Sequence, residues 1–163
     1  YWIVVNYREA YGIYACNGIL FNHESPRRGS NFVTNKVVKT AVQIHKGLLD
    51  KLELGNLDSS RDWGHSKDYV RGMHAILTND ESKDYVIATG DTRTVRDFCR
   101  YTFDKLGMNY EDYVTQNPKF MRPEELKFLK GDSTPIREEL GWEPEYTFDS
   151  MLDEMIEFWM NNV

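Results

Sequence analysis

Four basic side chains occupy the loop that follows an apolar run near the start of this chain. Residues 20–36 read LFNHESPRRGSNFVTNK and carry His23, Arg27, Arg28 and Lys36. Arginine presents a planar fork of donors that suits phosphate oxygens. The spacing predicts either a phosphate clamp at the carboxyl end of a strand or surface arginines paired with the nearby Glu24. Histidine at such a position is also typical of a structural role.

Asn22 and Lys36 flank this loop. Lys36 falls in the first turns of a predicted helix, where backbone N–H groups and the positive helix end favour an anion. A cation there is unfavourable unless an anion binds nearby. The alternative is an ordinary solvated lysine.

A second loop is predicted at residues 55–65, GNLDSSRDWGH. It would present Arg61 to a second phosphate while Trp63 packs inward. Equally, Arg61 would pair with Asp58 or Asp62.

A third candidate is RPEE, which places Arg122 and Glu125 one helical turn apart. At that spacing both side chains face one ligand, or they form a plain helical ion pair. No glycine-rich phosphate loop, nucleophile motif or paired cysteines accompany these groups, so the residues predict anion binding without a reaction centre.

Hydrophobic periodicity supplies the elements that position these loops. Strands are predicted at residues 13–21, 51–55 and 85–90. Helices are predicted up to Gly12, at residues 31–46, at 66–77 and at 148–160. The helix at 66–77 would carry Tyr69, Val70, Met73, Ile76 and Leu77 on one stripe. Further helices are predicted after a Thr94–Asp97 capping box, briefly after Pro123, and from Thr134 with Pro135 at N1. Strands alternating with helices predict an α/β fold, with ligands at the strand ends.

Composition limits the remaining possibilities. The 163 residues suffice for one packed domain, and 40% are hydrophobic. With 26 acidic against 20 basic residues, the net charge of −6 disfavours nucleic-acid binding. No apolar run approaches the roughly 20 residues that cross a bilayer. Cys16 and Cys99 lack metal-ligand spacing, which favours buried reduced thiols and a cytoplasmic location.

The chain opens on Tyr1, in a hydrophobic helix with no N-cap residue. This start predicts that the sequence is a fragment of a longer protein.

Several motifs follow one another in an order that resembles a known family. They are NYREAYG, LFNHESPRRG, NFVT with Lys36, GNL, RDWGH, YVIATG, RPEE, and GD ahead of LGW. Together they resemble the C-terminal part of the GDP-mannose 4,6-dehydratase family, within the extended short-chain dehydrogenases/reductases. The resemblance extends from Tyr1 to the last helix.

The resemblance implies a protein with an NADP-binding Rossmann domain and a smaller substrate-binding domain. Residues 1–163 would form the last Rossmann strands and helices plus the substrate-binding lobe. The N-terminal NADP-binding half and the catalytic residues would lie upstream of Tyr1. The family reaction oxidises mannose at C4, eliminates water across C5 and C6, and returns the hydride to C6, so that NADP is regenerated. Family members are homo-dimers or homo-tetramers, and no nucleic acid, membrane or metal is implied.

Motif by motif, the resemblance assigns site residues. NADP would contact His23 and Arg28. GDP-mannose would contact Asn22, Val33, Lys36, Asn56, Arg61, Arg122 and Glu125. Two positions depart from the family pattern, since Asn35 replaces an arginine and Ser30 an acidic residue. The alternatives are a UDP- or dTDP-sugar epimerase or dehydratase, and a non-catalytic nucleotide-sugar-binding module.

Overall fold

A computed structural model describes all residues, 1–163, and has the mixed α/β architecture predicted from the sequence. The helices are α1 Trp2–Tyr11, α2 Val33–His45, α3 Ser66–Leu77, α4 Val95–Lys105, α5 Thr134–Leu140 and α6 Phe148–Asn162. The strands are β1 Gly18–Leu20, β2 Asn22–Glu24, β3 Leu52–Leu54, β4 Ser60–His65, β5 Tyr85–Ile87, β6 Thr92–Thr94 and β7 Val114–Gln116.

The strands form three small sheets. β1 pairs with β5 in parallel, and β3 pairs with β7 in parallel. β4 lies between β2, which runs parallel to it, and β6, which runs antiparallel. Only Phe21 separates β1 from β2, so the chain passes directly from one sheet to the next.

The main core lies where α2, α4 and α6 pack together over β3 and β4. Fully buried side chains from each helix, such as Val37, Phe103 and Leu152, meet there. A smaller core beneath β5 contains Tyr69, Ile87, Ile136 and Trp142. Trp63 of β4 belongs to the main core, and Phe21, directly before β2, packs against the smaller one.

The predicted helix boundaries are largely confirmed, because their end signals are local. α1 ends at Gly12, whose φ of 63° is the left-handed conformation that glycine adopts without strain. α4 begins with the predicted capping box of Thr94 and Asp97. α6 also has a capping box, formed by Thr147 and Ser150, which the sequence reading did not identify.

The prediction of a buried strand at residues 13–21 is wrong over most of its length. Only Gly18–Leu20 is a strand, and Ile13 is 47% exposed. Residues before it are held by side chains, since Arg8 donates to the Ala15 carbonyl at 2.9 Å and the Asn17 N–H donates to Asp84 at 2.7 Å. These bonds replace the strand ladder.

The prediction that residues 55–65 form one loop is also wrong, because Ser60–His65 is the central strand β4. Its charged residues hid the strand from a hydrophobicity pattern. Asp62 and His65 are both buried, and each has polar partners that offset the cost of burial.

The short helix predicted directly after Pro123 is absent, and the nearest helical turn is the 3₁₀ piece Pro118–Phe120. The segment is instead held against β4, because the Ser60 N–H donates to the Lys127 carbonyl at 2.8 Å.

Two details of the helices α3 and α5 also differ from prediction. Val70 and Leu77 are 59% and 66% exposed rather than on the buried face of α3. Helix α5 has Ser133 as N-cap, so Pro135 is its second residue rather than its first.

None of the helices has both the length and the apolar character that crossing a bilayer requires. No group of three His, Cys, Asp or Glu side chains is placed to hold a metal ion. Both cysteines are free thiols, Cys99 buried and Cys16 partly buried.

Candidate functional site

A cavity of about 420 Å³ lies between the start of α2, the end of β3, the strand β4 and the segment after β7. It brings together all seven residues that the resemblance assigns to the nucleotide sugar: Asn22, Val33, Lys36, Asn56, Arg61, Arg122 and Glu125. These residues come from three separate stretches of the chain, 22–36, 56–61 and 122–125. Their convergence is therefore a property of the fold and not of one local motif.

A larger depression of about 560 Å³ lies near Thr89 and Arg137. It is lined by no hydrophobic residue and contains none of the predicted site residues. It offers no surface against which a base or sugar ring would pack, so the smaller cavity is the better candidate.

Strand geometry places three of the cavity side chains. Asn22 of β2 is the direct partner of Trp63 of β4. Arg61 lies two residues before Trp63 on the same strand, and residues two apart project from the same face. The amide, the indole and the guanidinium therefore share one wall.

The start of α2 forms a second wall. Val33 is its first residue, and the N-cap residue Phe32 supplies no side-chain acceptor, so the first backbone N–H groups lack a side-chain partner. Lys36 donates from Nζ to the Glu53 carbonyl at 2.7 Å, and its ammonium lies 4.1 Å from the centre of the Phe120 ring. The lysine is thus held at the cavity and is not free in solvent.

Arg61 is anchored from the opposite side. Its guanidinium donates to the Leu126 carbonyl at 2.7 Å and lies 3.5 Å from the Glu125 carboxylate. The alternative pairing with Asp58 or Asp62 is wrong, because Asp58 pairs with Arg96 and Asp62 binds backbone groups elsewhere.

The predicted Arg122–Glu125 helical pair is likewise wrong, because the chain is not helical there and Glu125 pairs with Arg61. Both side chains nevertheless line the cavity.

The loop after β3 approaches the segment after β7 closely. A Cβ on Gly55 would lie 2.3 Å from the Phe120 carbonyl oxygen, so this contact requires glycine. The neighbouring Asn56 accepts the Asp58 N–H at 2.9 Å, which orients its amide. The close approach places the backbone of Phe120 and Met121 beside the cavity.

The cavity has the charge and shape of a site for an anion with a flat ring. Three cations line it, Lys36, Arg61 and Arg122, against the single carboxylate of Glu125. This excess is local, since the whole chain carries a net charge of −6. Apolar side chains complete the lining: Phe32, Val33, Leu54, Trp63, Val95 and Phe120.

His23 and Arg28 do not line this cavity. The resemblance assigns them to a different ligand from that of the cavity residues, and the separation agrees with two binding sites. His23 follows Asn22 in β2, so its side chain projects from the other face of the strand. Its Nδ1 is 2.9 Å from the Phe21 carbonyl, a contact that leaves Nε2 unengaged. The ring lies 5.1 Å from that of Tyr69.

Arg28 is paired with Glu24, as one of the two sequence interpretations predicted. Its Nε is 3.1 Å from the carboxylate, and its guanidinium lies 3.5 Å from the Phe32 ring centre. No acceptor is aligned with the Nε–H, so this buried donor has charge pairing without a hydrogen bond. Arg27, by contrast, is exposed.

Asn35 holds the backbone of the same loop. Its amide nitrogen donates to the Arg28 carbonyl at 2.5 Å, and its amide oxygen accepts from the Trp159 indole at 2.7 Å. The side chain is 2% exposed and does not line the cavity.

Glu24 is the buried acid at the centre of this loop, 1% exposed. Burial raises the pKa of its carboxyl from the ordinary 4.5 to about 7. The hydrogen bond from Thr34 and the charge of Arg28 oppose that rise without cancelling it. The charge facing Arg28 therefore varies near neutral pH.

Asp62 is a structurally important residue whose role the sequence reading missed. It is fully buried and accepts from Thr89 N at 2.9 Å, Thr89 Oγ1 at 2.6 Å, Gly90 N at 2.9 Å and Gly131 N at 3.2 Å. It ties β4 to the loop after β5 and to the end of the segment that borders the cavity. The available signal was an acid directly before a buried tryptophan, which predicts a partner inside the fold.

Comparison with known proteins supports the resemblance found in the sequence. The family model described as GDP-mannose 4,6 dehydratase matches residues 1–155. GDP-mannose 4,6 dehydratase 1 of Arabidopsis thaliana is 48% identical over 157 residues, which cover 96% of this chain and 44% of that protein. GDP-mannose 4,6 dehydratase of Homo sapiens is 46% identical, with 96% of this chain and 46% of that protein covered. The chain spans about half the length of these relatives.

Solved structures confirm the expected fold. The RMD protein of Pseudomonas aeruginosa, complexed with NADPH, superposes with a TM-score of 0.90 at 22% identity, covering 99% of this chain and 53% of that one. The dTDP-glucose 4,6-dehydratase of Bacillus anthracis, complexed with NAD, gives a TM-score of 0.85 at 20% identity, covering 99% and 49%. This chain therefore has the fold of about half of each of these structures.

Proposed function

Because the chain belongs to the GDP-mannose 4,6-dehydratase family, we propose that the intact protein converts GDP-mannose to GDP-4-keto-6-deoxymannose with catalytic NADP. In this proposal residues 1–163 supply most of the GDP-mannose site and part of the NADP site. The observation that carries the proposal is the single cavity lined by all seven residues assigned to the nucleotide sugar.

The diphosphate would lie between Arg61, Lys36 and the start of α2. Both cationic side chains are already held at the cavity wall, so little side-chain freedom would be lost on binding. The uncapped N–H groups of α2 add donors suited to an anion. Asn22 adds an uncharged amide to the same wall.

The guanine base would lie toward Glu125, which can accept from its N–H groups, and against the flat side of Phe120. Arg122 would address the sugar hydroxyls or the diphosphate, and Asn56 and Val33 would border the nucleotide. The Glu125 carboxylate is 3.5 Å from Arg61 without ligand, a contact long enough to be exchanged for a ligand contact.

His23 and Arg28 would contact NADP on the opposite side of β2. The residues present suit that role, since His23 leaves Nε2 unengaged and Arg28 has a buried Nε–H with no aligned acceptor. NADP would supply the hydride acceptor and donor of the reaction. Glu24 and Phe32 fix the arginine side chain from two directions.

The remaining parts of the assignment are also proposals. The catalytic residues and the N-terminal NADP-binding half would precede Tyr1, and the intact protein would be a cytoplasmic homo-dimer or homo-tetramer. The chain reaches about half the length of its relatives, which leaves room for such a half.

Calorimetric titration of the intact protein tests the substrate assignment. GDP-mannose is expected to bind more tightly than UDP-glucose, because Glu125 can accept two guanine N–H groups and uracil offers one. Tighter binding of UDP-glucose would assign the protein to another nucleotide-sugar enzyme. Binding of GDP-mannose without product formation would indicate a non-catalytic module.

A further inference from the structure

The indole N–H of Trp63 is a buried hydrogen-bond donor without a partner. The side chain is 4% exposed, and no acceptor in the structure is placed to receive its Nε1–H. An unpaired donor inside a protein carries a free-energy penalty, and such groups in native structures call for a specific explanation.

The two other tryptophans beyond α1 satisfy this requirement. The Trp142 indole donates to the Asp68 carbonyl at 2.9 Å. The Trp159 indole donates to the Asn35 amide oxygen at 2.7 Å. The fold thus provides acceptors where an indole has a purely structural position, and Trp63 is the exception.

Trp63 belongs both to the main core and to the cavity wall. One side of its ring meets Phe98 edge-on, with ring centres 5.2 Å apart. The residue also lines the cavity, directly opposite Asn22 in the strand pairing and two residues after Arg61. The ring thus has a packing partner in Phe98, whereas the indole nitrogen has no hydrogen-bond partner.

We infer that the Trp63 indole N–H donates a hydrogen bond to a phosphate oxygen of the bound nucleoside diphosphate. This inference deepens the proposed function and depends on it. No residue assignment made from the sequence gives Trp63 a ligand contact, since the sequence predicted only that it packs inward.

The surroundings favour a phosphate oxygen over other acceptors. Two donors lie on the same wall, the Asn22 amide nitrogen and the Arg61 guanidinium, and Lys36 lines the cavity from α2. Three cationic side chains against the single carboxylate of Glu125 match the negative oxygens of a diphosphate. An uncharged donor among cations would fix the geometry of the phosphate without adding further repulsion between positive charges.

The inference predicts a separation of stability from affinity. Trp63→Phe keeps an aromatic ring against Phe98 and removes the unpaired donor, so the melting temperature of the free protein should fall less than in a variant that also leaves an acceptor unpaired. Trp142→Phe is the matched control, because it removes an indole N–H whose acceptor is the Asp68 carbonyl. That variant should melt at a lower temperature and bind nucleotide as the wild type does.

The test is calorimetric titration of GDP and of guanosine into the intact wild-type protein and the two variants. Trp63→Phe should weaken GDP binding about tenfold, the effect of one lost hydrogen bond to a charged group, and leave guanosine binding unchanged. Unchanged GDP affinity in Trp63→Phe would overturn the inference alone. An equal loss for guanosine would also overturn it, by placing the contact at the nucleoside. A wild-type protein that binds no GDP would overturn the proposed function together with the inference.

A second measurement does not depend on the folding of any variant. In the wild-type protein, the indole ¹H–¹⁵N resonance of Trp63 should move downfield when GDP is added, while the resonance of Trp142 stays in place. An unmoved Trp63 resonance at saturating GDP would contradict the hydrogen bond.

Discussion

Arg61 and Glu125 meet across the cavity although 64 positions separate them in the chain. The two sequence interpretations of Arg61 were a phosphate contact or a pair with a neighbouring aspartate, and the structure provides a partner that neither considered. A local sequence pattern could not identify Glu125 as the partner, because the pairing depends on how the segment after β7 folds back onto β4.

Arg61→Ala tests the contribution of the guanidinium to substrate binding. In the intact protein we expect the KM for GDP-mannose to rise roughly tenfold or more, since a charged hydrogen bond to the diphosphate is lost. Arg96→Ala is the matched control, because Arg96 forms its ion pair with Asp58 outside the cavity. An unchanged KM in Arg61→Ala would remove this arginine from the site.

Glu24 gives the arginine loop a pH dependence whose sign follows from its raised pKa. The carboxyl ionises near 4.5 when unfolded and near 7 when folded, so between these values the folded protein binds more protons. The free energy of unfolding should therefore fall as the pH rises through this window.

Glu24→Gln does not titrate at this position, so its free energy of unfolding should not show this fall with rising pH. Denaturant unfolding of both proteins across the window measures it, with the difference between them as the readout. If the free energy of unfolding varied with pH in the same way in both proteins, Glu24 would have an ordinary pKa in the folded state.

At the scale of elements, helices were easier to predict than strands. α4 and α6 carry apolar stripes and local end signals, so their positions follow from nearby residues. β4 is a central strand whose residues include Arg61, Asp62 and His65, and its partners come from β2 and β6. Its polar residues are explained by tertiary contacts that a local pattern does not contain. Arg61 was a candidate phosphate contact from its residue type, and the resemblance assigned it to the nucleotide sugar.

The capping box at the start of α4 supports the wall of the cavity, because the next residue, Val95, lines it. Thr94→Ala should lower the free energy of unfolding by about 1 kcal/mol, since the hydroxyl that accepts from the Asp97 N–H is removed. Thr94→Ser keeps a hydroxyl and should recover most of the loss. Chemical denaturation of the three proteins measures the effect, and equal losses in both variants would exclude the cap as its origin.

At the scale of the whole molecule, the candidate site contains the groups for binding but not those for the reaction. Glu125 is the only carboxylate in the cavity wall, and no histidine, cysteine or tyrosine lines it. α1 buries none of its residues, and Trp2 and Ile3 are each 77% exposed. Both features agree with the proposal that residues before Tyr1 complete the enzyme.

The 163-residue chain made by itself should therefore convert no GDP-mannose. Chromatography of the nucleotide sugars after incubation with NADP measures the product, and the intact protein under the same conditions is the positive control. A measurable 4-keto-6-deoxy product from the short chain would place a complete reaction centre within these residues.

The Asn35 amide joins two parts of the chain that are far apart in sequence, because each end of the amide has a different partner. Trimming the tail before Trp159 would remove the indole that sets the amide's orientation. The amide could then flip and release the Arg28 carbonyl. A change at the last residues of the chain would thus alter the arginine loop near its beginning.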